Sequence, residues 1–154
     1  MKPFQIDQID RSILRALQRD ASLSQRALAE QVGMSQNACW RRLKALNESG
    51  LIRGRTLRLD PQALGLGLVV FVMIRTRHHS RDWLQRFRNE VSAIPNVVDF
   101  YRIAGEYDYM LKVVAADMND FDRVYQRLIQ NVELEAVTSH ITMEAIVSTR
   151  DLPV

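Results

Sequence analysis

Apolar residues recur at helical spacing through the first fifty positions and at strand spacing through much of the rest. In "DQIDRSILRALQRD" (7–20), Ile9, Ile13, Leu14 and Leu17 fall on one stripe of a 3.6-residue period. "QRALAEQV" (25–32) has a short apolar face of Ala27, Leu28 and Val32, with Ser24 placed to cap it. "GMS" follows, where Gly33 accepts the positive φ that ends a helix and Ser35 can cap the next. "QNACWRRLKALNES" (36–49) turns Cys39, Leu43 and Leu46 inward and leaves Gln36, Asn37, Trp40, Arg41 and Lys44 on the other side. Gly50 stops this third helix, and "LIRGRTLRLD" reads as a short basic strand or wing.

The pattern changes after "DPQALGLG" (60–67), a hinge marked by proline and glycine. Strands are expected over 68–77, 97–104, 109–116 and 136–150, and helices over 80–94 and 117–132, the second capped by Asp117 and turning Ile129 inward. The order is βαββαβ, a ferredoxin-like arrangement that puts both helices on one face of an antiparallel sheet. The fold class is therefore α+β, with an N-terminal winged helix-turn-helix. The expected division is 1–59 for the first domain, 60–67 for the hinge and 68–154 for the second domain. Alternate residues such as Val70, Val72 and Ile74, or Met110, Lys112 and Val114, are too apolar for a solvated sheet face. That predicts a homodimer through this face.

Charge separates the two modules. Residues 1–60 hold eleven Lys/Arg against six Asp/Glu, a balance of +5, while the remainder holds ten against twelve. Only the first module favours a polyanion. Two helices joined by a tight glycine turn, with a third beneath, make a helix-turn-helix whose second helix enters the major groove of double-stranded DNA. The candidate DNA contacts are Ser24, Ser35, Gln36, Asn37, Trp40, Arg41, Arg42, Lys44, Arg53 and Arg55. Hydroxyls and amides suit base edges or phosphate, and arginine suits phosphate or guanine. Trp40 suits either DNA sugar and phosphate or packing against the wing, and Cys39 reads as a small buried hydrophobe.

Cys39 is the single cysteine, so no intrachain disulfide can form. The N-terminus lacks the apolar core of a secretory signal, and the longest apolar stretch, 64–74, is short of a membrane span. These features fit a cytoplasmic, nucleoid-associated protein with no membrane partner.

"GEYDY" (105–109) connects two expected strands and carries Glu106 and Asp108. The pair suits an acid–base couple, a metal site, a ligand clamp or an ordinary polar turn. No nucleophile or convergent basic site accompanies it, which disfavours catalysis. His78 and His79 are neighbours on a strand end and point to opposite faces, a poor chelating arrangement.

In order along the chain, "IDRSILRALQRDA", "ALAEQVGMSQNACWRRLKALNESGLI", "LDPQALGLG", "GEYDYMLKV" and "STRDLPV" resemble the Lrp/AsnC family of feast/famine regulators. The resemblance spans nearly the whole chain. It implies a transcription factor with a RAM/AsnC-type second domain, no cofactor and an amino-acid effector. It also implies dimers that assemble into tetramers or octamers. The Gly-x-x-Asp turn of that family contributes to effector pockets, which on this chain means Gly105 and Asp108 with Tyr107 alongside. Ser139, His140 and Thr142, with Thr138, are able to add contacts from the last strand. A bare glycine lets backbone N–H groups approach a carboxylate, and a carboxylate pairs with an α-ammonium. "ACWRRLK", "TRHHS", "AGEYDYMLKV" and "MEAI" resemble a narrower, cysteine-responsive branch, which implies L-cysteine as effector. Gln36 and Ala38 stand where many members have prolines, and His140 and Thr142 replace a common Thr-x-Thr. Two alternatives share the architecture: a nucleoid-organising protein without a specific effector, and a siroheme decarboxylase-like enzyme using His78, His79 and His140.

Overall fold

The computed structural model describes residues 5–154. The described chain divides into two compact units, one of residues 5–58 together with 147–154, the other of residues 59–146. Each has its own apolar core.

The first unit holds α1 (Gln8–Arg19), α2 (Gln25–Gln31) and α3 (Gln36–Glu48). Asp7 and Asp10 form a reciprocal capping box at the start of α1, satisfying backbone donors that a helix start leaves unpaired. Ser24 and Ser35 cap α2 and α3, as their positions predict. Between these helices Gly33 takes φ +69°. Its N–H donates to Glu30 at 3.2 Å and the Met34 N–H donates to Ala29 at 2.9 Å, a Schellman closure. Ile13, Leu14, Leu28, Cys39, Leu43 and Leu46 form the core. Burial pushes the Cys39 thiol above its ordinary value, as expected of a structural cysteine. Residues 51–60, expected as a strand or wing, form no ladder.

The second unit is a four-stranded antiparallel sheet in the order β2-β3-β1-β4. Its strands are β1 (Leu68–Arg75), β2 (Val97–Arg102), β3 (Tyr109–Ala115) and β4 (Ala136–Ile141), with α4 (Arg81–Ser92) and α5 (Met118–Gln130) between them. Trp83, Phe87 and Val91 from α4 and Phe121, Val124 and Leu128 from α5 pack on Val70, Val72, Ile74, Leu111 and Val113. Ile129 lies outside this core, 39% exposed.

Two expectations change here. Val70, Val72 and Ile74 are fully buried against the helices, so they do not belong to the free face. That face carries Val69, Phe71, Met73 and Arg75, paired with Val114, Lys112 and Met110 across the ladder. Every position of β1 up to Ile74 is apolar, so alternation defines two faces without saying which is covered. The last strand, expected over 136–150, ends at Ile141; a single further bond joins the Thr142 N–H to the Val69 carbonyl, and β1 begins at Leu68, so residues beyond 143 have no partner on it. Residues 147–154 join the first unit instead of the second. Among the described residues no helix is long and apolar enough to cross a membrane.

Candidate functional site

The third helix presents two chemically distinct sides. Cys39, Leu43 and Leu46 are buried, while Gln36, Asn37, Trp40, Arg41 and Lys44 are exposed. Trp40 is 45% exposed, and Lys44 Nζ sits 5.4 Å from its ring centroid. That cation–π contact, with Glu48 3.8 Å from Lys44, orders a long side chain on the open face. Ser24 and Ser35 use their oxygens to accept the Ala27 and Ala38 N–H groups at 3.1 and 3.3 Å. Their hydroxyl hydrogens remain available to an acceptor such as a phosphate. Arg53 and Arg55 are exposed on the segment after α3.

Arg42 departs from the expected set. Its guanidinium donates to Asp7 Oδ2 at 2.7 Å and to Asp10 Oδ1 at 2.8 Å, fastening α3 to the start of α1. The Asp10 side chain is only 9% exposed, so it needs this cation to compensate its lost hydration. Hydrogen bonds to Asp10 and Asp7 raise the Arg42 pKa above its ordinary value. The Asp10 N–H, and then Arg42, hold the Asp7 carboxyl below the usual range. Arg42 is therefore tied to α1 in this chain, unlike the exposed Arg41 and Lys44 beside it.

At the second unit's turn, Gly105 adopts φ +134°, with open space where a Cβ would sit. Conformation, not crowding, is what calls for glycine there. Asp108 Oδ2 accepts the Thr76 N–H at 2.8 Å, and the Asp108 N–H donates to the Ile74 carbonyl at 2.9 Å. The Tyr107 hydroxyl lies 3.2 Å from Thr138 Oγ1. Beside Thr76, a cleft of about 230 Å³ is lined by Arg77, His78, Glu133, Leu134 and Glu135. His78 Nε2 is 3.2 Å from Glu133, and Arg77 is 3.2 Å from Glu135.

A winged helix-turn-helix DNA-binding model matches residues 6–53, and the model of the Lrp/AsnC ligand binding domain matches residues 69–152. The chain belongs to the Lrp/AsnC family of transcriptional regulators. It is 47% identical over 150 residues to the DNA-binding transcriptional activator DecR of Escherichia coli, covering 97% of this chain and 99% of that protein. An AsnC family transcriptional regulator from Agrobacterium tumefaciens superposes with a TM-score of 0.93 at 45% identity, covering 96% of this chain and 97% of the other. A transcriptional regulator from Neisseria meningitidis, solved as a complex with L-methionine, gives a TM-score of 0.91 at 31% identity and covers 97% of each chain. Membership makes the chain a DNA-binding transcriptional regulator and not an enzyme.

Within this Lrp/AsnC chain the expected effector residues fall into two groups. Gly105, Tyr107 and Asp108 gather at the turn with Thr76 and Thr138. His140 pairs with Phe71 and the Thr142 N–H bonds Val69, both farther along β1. At about 3.4 Å per residue they lie roughly 7 and 14 Å beyond Thr138. Ser139 pairs with Val72 and so points to the opposite face from His140. No single small ligand reaches all six within one chain. His78 and His79 are exposed, and among the described residues no three His, Cys, Asp or Glu side chains are grouped to hold a metal.

Thr76 and Asp7 are the partners that sequence reasoning missed. Asp7-x-x-Asp10 before an apolar stripe is a legible capping-box signal. Nothing local in the sequence marks Thr76, which lies 32 residues from Asp108.

Proposed function

We propose that this regulator responds to an α-amino acid bound at the Gly105–Asp108 turn, and that L-cysteine is that effector. The turn carries a carboxylate for an α-ammonium and an unhindered glycine backbone for an α-carboxylate. Asp108 Oδ2 is engaged by Thr76, which leaves Oδ1 for a ligand. The Neisseria meningitidis relative in complex with L-methionine supports the class of effector. L-cysteine follows from the resemblance of "ACWRRLK", "TRHHS" and "AGEYDYMLKV" to the cysteine-responsive branch.

DNA is read by Gln36, Asn37, Trp40, Arg41 and Lys44 from α3, with Ser24, Ser35, Arg53 and Arg55 on the backbone. The observation that carries this reading is the polar face of α3, exposed opposite a buried Cys39–Leu43–Leu46 stripe.

The assembly is a homodimer formed through the sheet face of Val69, Phe71, Met73, Met110 and Val114, extending to a tetramer or octamer. Phe71 and Met73 are only partly covered in the single chain, which supports a second sheet packing there. Ser139, His140 and Thr142 reach the effector only if a neighbouring chain presents them to another chain's turn. Effector binding then shifts packing between dimers and changes which operators paired helices can bridge. The regulator works in the cytoplasm, associated with the nucleoid.

A thermal-shift titration against the twenty L-amino acids tests the effector, because a ligand that binds only the folded state raises the melting temperature. L-cysteine should give the largest rise. A flat profile would remove the sensor role and leave a nucleoid-organising DNA binder.

A further inference from the structure

Residues Val147–Val154 follow the sheet module in sequence yet fold with the DNA-reading unit. The contacts are made largely by α1. Gln18 brackets Leu152: its Nε2 donates to the Leu152 carbonyl at 3.1 Å, and its Oε1 accepts the Leu152 N–H at 2.8 Å. One amide side chain thus takes the place of a strand partner and reads backbone, leaving the Leu152 side chain exposed. One helical turn earlier, Arg15 Nε donates to the Val154 carbonyl at 2.6 Å. Arg58 donates to Asp151 at 2.8 Å. The Val154 side chain packs against the apolar core that holds the three helices together.

These four contacts fall on three of four consecutive residues and differ in kind: an ion pair, a two-way main-chain clamp, a charge-assisted bond and an apolar anchor. Pro153 between them fixes one backbone torsion and lowers the cost of holding the segment extended. A terminal stretch with no such ties frays. The chain therefore leaves the first unit near residue 58 and returns to it near residue 147.

We propose that α1 bears a docking surface for an extended acidic–apolar segment, and that its occupant is the chain's own Asp151-Leu152-Pro153-Val154, a strap that closes onto the DNA-reading unit. Arg15 and Gln18 are then committed to the strap, and Arg15 is not a phosphate contact despite its charge and exposure. The exclusion of Arg15 from DNA rests on the regulatory reading above, while the docking itself does not.

Amide hydrogen exchange on the full chain tests the docking. The Leu152 N–H should be protected in the wild type, and Gln18→Ala should speed its exchange about tenfold or more while β1 and β3 amides stay unchanged. Asp151→Ala, which leaves α1 untouched, should loosen the same segment if Gln18→Ala fails to fold. Backbone ¹⁵N relaxation on the same samples tests the strap: the amides of 151, 152 and 154 should gain mobility in either variant while those of β1 and β3 do not. An unprotected Leu152 amide in the wild type overturns the proposal, as does relaxation indifferent to the variants. DNA titration of the wild type is read separately. Its failure would overturn the regulatory reading and leave the exchange result standing.

Discussion

Asp108 Oδ2 accepts the main-chain N–H of Thr76 at 2.8 Å, and Thr76 is only 4% exposed. The acid of the Gly-x-x-Asp turn thus holds the end of β1 in addition to its proposed work on a ligand. Alanine at this position removes both roles at once.

Asp108→Ala should destabilise the second unit by about 1–3 kcal/mol, the usual cost of leaving a buried donor unpaired. Asp108→Asn keeps an acceptor for Thr76 and loses the charge that would meet an α-ammonium. Urea unfolding should therefore show Asn near wild type and Ala clearly weaker, while effector binding measured by calorimetry is lost in both. Effector binding retained by Asp108→Asn would remove the carboxylate from the pocket.

Arg41 and Arg42 are neighbours in different settings, the first exposed and the second hydrogen-bonded to Asp7 and Asp10. Arg41→Ala should leave the melting temperature unchanged, weaken DNA binding and lower the slope of log affinity against log salt by about 1, as expected for one lost phosphate contact. Arg42→Ala should cost about 1–3 kcal/mol in stability by stranding the nearly buried Asp10. The pair of measurements, thermal melting and a salt-titrated binding isotherm, separates the two arginines.

These two residues also mark how far the sequence could be read. The helical stripe, the caps Ser24 and Ser35 and the inward Cys39 follow from local spacing, because capping and amphipathicity act within one turn or one helix. Arg42 looked like its neighbours because its partners, Asp7 and Asp10, lie more than thirty positions away. The buried face of β1 is the opposite of the expected one for a related reason. "LVVFVMI" is apolar at every position, and only the placement of α4 and α5 decides which side is buried. The final strand is shorter than its composition suggests, because β-branched residues such as Ile146 and Val147 signal extended chain, whereas a ladder also needs a partner. The turn Gly105–Asp108 was legible as a unit. Its anchor at Thr76 was not.

Acid should loosen the first unit through Asp7. Its folded pKa lies below the ordinary 3.8, chiefly through the Asp10 N–H and then Arg42. A lowered pKa contributes stability that is fully present above the unfolded value and lost as pH falls through the folded one. Asp7→Asn keeps an N-cap acceptor but lacks the charge. The melting temperature of the wild type should exceed that of Asp7→Asn at pH 6, and the gap should close as pH falls below about 3.8.

The free sheet face makes a separate prediction. Phe71→Glu should place a charge where a second sheet is proposed to pack, and so shift sedimentation equilibrium toward monomer without unfolding the chain. Val70→Glu, one residue away but fully buried under the helices, should unfold the second unit instead. A dimer that survives Phe71→Glu unchanged would move the interface elsewhere.

The most direct test is a fluorescence-anisotropy titration of the regulator onto a DNA fragment from its own promoter region, at fixed salt, with and without each L-amino acid. Asp108→Asn is run in parallel. Saturable binding is expected, with a midpoint that shifts with L-cysteine in the wild type and stays fixed in Asp108→Asn. Binding that ignores every amino acid, or a shift that survives Asp108→Asn, would contradict this expectation.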